Sequence, residues 1–184
     1  MNTGDHRGSD MDVKLGRFGE MTVGHMQFEQ ADYVVRRMRK QDVEEVFSVR
    51  YDRSREGLVE DMVANYADLS FAFERVHVPR AIAVFTLAPA GPWFWHASLI
   101  ATDEWPLVVK DVTRWLRKHL MPAVQRHGVR RVELRAMQKL TQNCAWIESL
   151  GARPECVVHG MADEPFVQYA WTQNGGATCA GNQN

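Results

Sequence analysis

Between Trp93 and Ala152 the hydrophobic period of this sequence switches three times, and few architectures accommodate that order. Residues 93–101 form an apolar run of strand length. A helix is expected from Pro106, with Val108, Val112, Trp115, Leu116, His119 and Ala123 on one buried stripe. Pro122, which lacks an N–H and crowds the preceding turn, is expected to end or kink it. Residues 129–137 then alternate, with Val132, Leu134 and Ala136 on one face, as a half-buried strand does. A short helix over 142–150 stops at Gly151, the usual residue just past a helix C-terminus.

The flanking segments extend this pattern. Tyr33-Val34-Val35-Arg36-Arg37-Met38 reads as a first strand. Asp42-Val43-Glu44-Glu45 opens a helix in capping-box form, with Val43, Val46, Phe47 and Arg50 following at helical spacing. A second helix carries Leu58, Met62, Tyr66 and Leu69 on one face. Residues 71–77 and 80–87 read as strands joined by a tight turn at Val78-Pro79, and Pro89, Gly91 and Pro92 interrupt the chain before residue 93. A hairpin over 156–161 and 166–172 closes the series. The expected class is α/β: a mixed sheet of about seven strands with four helices on both faces. Residues 31–172 form the expected domain. Residues 1–30 are polar, with evenly spread glycines, and read as an arm that orders only against a partner; 173–184 form a Gly/Asn/Gln/Ala tail.

Composition narrows the function classes. A chain of 184 residues suits one domain, and a formal charge of −1 offers no overall attraction for nucleic acid. Three cysteines without a CxxC spacing argue against a disulfide framework and a zinc site. No stretch approaches the roughly 18 apolar residues of a membrane span, and the N-terminus has no apolar signal core. A soluble, non-secreted protein with reduced, intracellular-type cysteines is expected.

The order of elements, the opening Val35–Val46 segment and the segment 140–152 resemble the GNAT superfamily of N-acetyltransferases. The resemblance implies an acetyl-coenzyme A cleft, and two positions depart from it. Where the family carries a glycine-rich phosphate loop, this chain reads Ala101-Thr102-Asp103-Glu104-Trp105-Pro106. Glycine lets successive N–H groups turn toward one anion; here Pro106 removes a donor and two carboxylates add like charge. Aligned on Gly151, Leu140 takes the place of the family's asparagine, Asn143 of its alanine, Ala152 of its phenylalanine and Ile147 of its tyrosine. That tyrosine often protonates the leaving thiolate, and isoleucine has no proton to give. Over about residues 93–172 the chain also resembles the internal virion protein A family of T7-like podophages. The shared features are Thr102-Asp103-Glu104-Trp105 after an aromatic strand, a basic helix, Trp146-Ile147, Leu150-Gly151-Ala152 and the aromatic pair Tyr169 and Trp171. This second resemblance implies a non-catalytic phage protein that meets other virion proteins during assembly or genome ejection, in the virion or the host cytoplasm. It implies no cofactor and no catalytic, cofactor-binding or metal-binding residue. The alternative is an active acetyl-CoA-dependent N-acetyltransferase with an atypical loop. Self-association stays open.

Two further groups of residues stand out. Residues 110–139 hold nine Lys/Arg against Asp111 and Glu133, a local net of +7 that leaves −8 on the rest. Lys110, Arg114, Arg117 and Lys118 on that helix are the expected partner-binding residues, for an acidic protein or a nucleic acid. For an enzyme, the candidate bases are His96, a cleft or core histidine, and Glu133, read as ion-paired on the outward strand face between Arg131 and Arg135. Ser54, Ser98 and Ser149 sit in no nucleophile-elbow context.

Overall fold

A computed structural model describes residues 11–66 and 69–173. Its centre is one eight-stranded mixed sheet in the order β1-β2-β3-β4-β5-β6-β8-β7. The strands are β1 Gly16–Phe18, β2 Met21–His25, β3 Ser70–Arg75, β4 Val78–Gly91, β5 Phe94–Ala101, β6 Arg131–Met137, β7 Arg153–Val158 and β8 Phe166–Thr172. Every neighbouring pair is antiparallel except β5 with β6. The helices are α1 Phe28–Arg36, α2 Lys40–Ser48, α3 Arg55–Tyr66, α4 Val109–Trp115, α5 Met121–Arg126 and α6 Thr141–Ser149. No helix among the described residues is long and apolar enough to cross a membrane.

The two faces of the sheet bury separate cores. On one face, α4, α5 and the turn between them bring Val112, Trp115, Leu116 and Val124 against Phe71, Phe73, Phe85 and Trp95. On the other, α1 to α3 bring Val34, Val35, Phe47, Leu58 and Met62 against Ala72, Val84 and Ile100. Val132, Leu134 and Ala136 are all buried, as their alternation requires. The class expected from sequence holds, with eight strands in place of seven.

The extra strands come from the segment read as an arm. Met21 and Val23 alternate inward and are buried, and β2 pairs along its whole length with β3. The β1–β2 turn sits at Gly19, with φ +64, where a Cβ would lie 3.0 Å from an Asp111 carboxylate oxygen. The Trp115 indole N–H donates to the Lys14 carbonyl at 2.8 Å, fixing the preceding residues on the helix layer. Residues 11–30 therefore belong to the folded domain; residues 1–10 and 174–184 lie outside the described residues.

Three local expectations also change. Residues 33–38 are not a strand. Ala31, Val34 and Val35 fall at i, i+3 and i+4 on the buried side of α1, a helix that opens with a Gln27/Gln30 capping box. The β3–β4 turn falls at Val76-His77, where His77 takes φ 64, and β4 runs on to Gly91 through an irregularity near Pro89. The long helix begins with a 3-10 turn at Trp105–Leu107 and continues past Pro122. A π turn at Leu116–Leu120 precedes that proline; widening the helix there relieves the clash its ring would make with the preceding turn.

Candidate functional site

β5 and β6 pair only through Phe94, Trp95 and His96 against Arg131, Val132 and Glu133. Beyond His96 the parallel strands part, and the opening widens into a cleft of about 730 Å³ that α2, α3 and α6 help to line. The volume is that of a small-molecule site.

Two carboxylates of α2 reach across the open end of this V. Asp42 accepts the Ala101 N–H at the end of β5 (2.8 Å), and Glu45 accepts the Met137 N–H at the end of β6 (2.7 Å). Residues i and i+3 share a helix face, so one turn of α2 clasps both strands. Asp42 does not cap its helix: Arg39 holds the N-cap position, and its guanidinium donates to Asp42 at 2.7 and 3.1 Å. Burial raises the Asp42 pKa, and Arg39 opposes that shift. Among the described residues no cation forms an ion pair with Glu45, and the Arg39 charge acts on it only weakly. Burial, and more weakly the Asp42 charge, pushes its carboxyl up to about 7 against the opposing hydrogen bonds from the Met137 N–H and Asn143. Asn143 donates to it at 3.4 Å and accepts from Gln41 at 3.0 Å. Glu45 is therefore the cleft group best suited to exchange a proton near neutrality.

Of the bases expected from sequence, His96 is half exposed at the cleft, its Nδ1 3.8 Å from the Glu133 carboxylate. Glu133 is not on the surface: it is buried on the cleft wall and accepts from Arg131 Nε at 2.7 Å, while Arg131 also pairs with Glu155. The ion pairing holds; the exposure does not. The structure brings His96 and Glu133 together because they are register partners in the parallel pair. Ile147 is buried beside Leu134, Ala136 and Tyr169. Lys110, Arg114, Arg117 and Lys118 all lie exposed on the helix layer away from the cleft.

On the side of α4 and α6 the V is lined by two indoles. Trp105 and Trp146 meet edge to face with ring centres 5.3 Å apart, and the Trp146 N–H donates to Thr113 Oγ1 at 2.9 Å, tying α6 to α4. The loop leading into α4 uses its main-chain donors internally. The Thr102 N–H goes to Ile82 O, Glu104 to Thr102 Oγ1, Trp105 to Thr102 O, Leu107 to Glu104 O and Val108 to Trp105 O. Pro106 has none, and the Glu104 carboxylate is held by Arg80 at 2.8 Å.

No family model and no curated protein sequence matches this chain. Solved structures do. A GNAT-family acetyltransferase from Bacillus anthracis superposes with a TM-score of 0.60 at 10% identity, over 86% of this chain and 98% of that one. The ribosomal-protein-S18-alanine N-acetyltransferase from Escherichia coli gives 0.58 at 12% identity, over 89% and 98%. AAC(6')-Ib, solved with ribostamycin and coenzyme A, gives 0.63 at 11%, over 85% and 95%. The fold is that of the GNAT acetyltransferases. At these identities the likeness concerns architecture, and residue-level chemistry must be read from this chain.

The β5–α4 junction, where the GNAT resemblance would place the pyrophosphate of coenzyme A, offers few free main-chain donors before the first turn of α4. A pyrophosphate needs several free N–H groups converging on it. Across Thr102–Val108 five are already bonded, Pro106 contributes none, and the remaining residue is Asp103, itself an anion. The Trp105–Trp146 contact forms part of the cleft wall between α4 and α6.

Proposed function

We propose that this chain is a GNAT-fold protein without acetyl-transfer activity that works through contacts with other proteins. By its resemblance to the internal virion protein A family, it is a phage component acting in virion assembly or genome ejection. The observation that carries the non-catalytic part is the internally satisfied, glycine-free loop at Thr102–Val108. Isothermal titration of the full chain with acetyl-CoA is expected to show binding no tighter than about 1 mM, or about −4 kcal/mol. A micromolar dissociation constant would overturn the reading. Mass spectrometry of purified particles of the encoding phage is expected to detect the chain as a particle component; absence from the particle would remove the virion role.

One observation favours the alternative, an acetyl-CoA-dependent N-acetyltransferase: Glu45 lines the cleft and titrates near neutrality, as a general base for an amine would. The same titration separates the two, because a base without a bound acyl donor transfers nothing.

A further inference from the structure

The surface of the helix layer differs from the cleft in its charge. Lys110, Arg117 and Lys118 are exposed and have no carboxylate partner among the described residues, while Arg114 is engaged by Asp111 at 2.7 Å. Folding adds a cation from the N-terminal segment. With its carbonyl held by the Trp115 indole, Lys14 places its ammonium 5.7 Å from the Phe18 ring centre, and that ring packs on His119 at 5.0 Å. Lys14 and Lys118 both act on His119: burial first, then these two charges, hold its pKa below the ordinary histidine value. Arg126 borders the same segment, donating to the Asp12 carbonyl at 3.5 Å. The π turn itself carries Arg117, Lys118 and His119.

We propose that this face, centred on Lys14, Lys110, Arg117 and Lys118, binds the phosphate backbone of nucleic acid. Lys110 and Lys118 lie about 12 Å apart along the helix at 1.5 Å per residue, and Lys14 widens the face, enough to meet a few successive phosphates. An acidic protein is the weaker match. Protein interfaces depend on a desolvated apolar centre, and the exposed large apolar side chains along this stretch are only Leu15, beside Lys14, and Leu107, three residues before Lys110. Phosphate contacts need only cations and carry no base information, so binding is non-specific and salt-dependent.

This surface goes beyond the protein-contact reading and does not depend on it. The test is fluorescence anisotropy of the full chain with a labelled 20-base-pair duplex and a 20-nucleotide single strand, at 50 and 200 mM NaCl. With about three to four phosphates neutralised, affinity is expected to fall about 40- to 150-fold between the two salts for the duplex and about 20- to 50-fold for the single strand. R117E/K118E, which should melt like the parent, is expected to weaken binding at least about tenfold at 50 mM, and K14E to weaken it further. No binding at 50 mM, binding unchanged by charge reversal, or equal competition by poly-glutamate of matched charge would each overturn the proposal. None of these outcomes touches the acetyl-CoA titration, so failure here is distinguishable from failure of the contact-module reading.

Discussion

Glu45 accepts a main-chain hydrogen bond where solvent reaches it only partly, and its proton affinity follows from that position. A carboxyl held at about 7 when folded binds a proton more tightly than in the unfolded chain, where its ordinary value is 4.5. Stability contributed by this group is therefore present at low pH and falls as pH rises from the ordinary carboxylate range through about 7. Glutamine keeps the carbonyl acceptor for Met137 without the ionisation. E45Q is expected to match the parent near pH 4.5 and to exceed it at pH 8 by on the order of 1–3 kcal/mol, as read by urea denaturation at both pH values. Equal differences at the two pH values would mean that Glu45 is not protonated in the folded protein. In the sequence, Asp42 and Glu45 show only as a helix start. Their targets lie 59 and 92 residues away, a distance that local spacing does not carry.

The β1–β2 hairpin is the element whose role changed most between sequence and fold. Its glycines and polar residues mask a strand with only two inward apolar positions, Met21 and Val23, too short for periodicity to register. What stabilises it is non-local: main-chain pairing with β3, 46 or more residues on, and the Trp115–Lys14 bond. Burying an apolar side chain contributes about 1.5–3 kcal/mol. Deleting residues 1–25 should therefore cost at least about 3 kcal/mol and lower the melting temperature clearly, and M21A should cost about 2–5 kcal/mol by leaving a cavity under β2. Differential scanning calorimetry of both variants checks this; an unchanged melting temperature for the deletion would return the segment to the status of a loose arm. The strand expected at 33–38 failed for a related reason. Val34 and Val35 favour strands intrinsically, but with Ala31 they also complete a helical face, and packing on the sheet decided between the two.

Across the whole molecule, one sheet carries a large core on each face and a smaller cluster under α6, and every strand except the edge strands is hydrogen-bonded on both sides for at least part of its length. Neither helix layer can leave without exposing the sheet, so unfolding should be a single cooperative step. Tryptophan fluorescence reports mainly the core around Trp95, Trp105 and Trp115, whereas far-ultraviolet circular dichroism reports both layers. Their urea transitions are expected to coincide, and separated midpoints would show that the layers unfold independently. The sequence by itself determined the class and most of the strand–helix order, because hydrophobic period, Gly151 and the prolines act within a few residues. It also made the glycine-free, acidic junction visible, since that is a matter of residue type at consecutive positions 101–106. Only the tertiary structure decided where the cleft lies, that Glu133 lines it, that α2 clasps β5 to β6, and that Lys14 joins the basic helix face. These features join groups far apart in the chain, and their energies depend on burial and on distances that exist only once the sheet has closed.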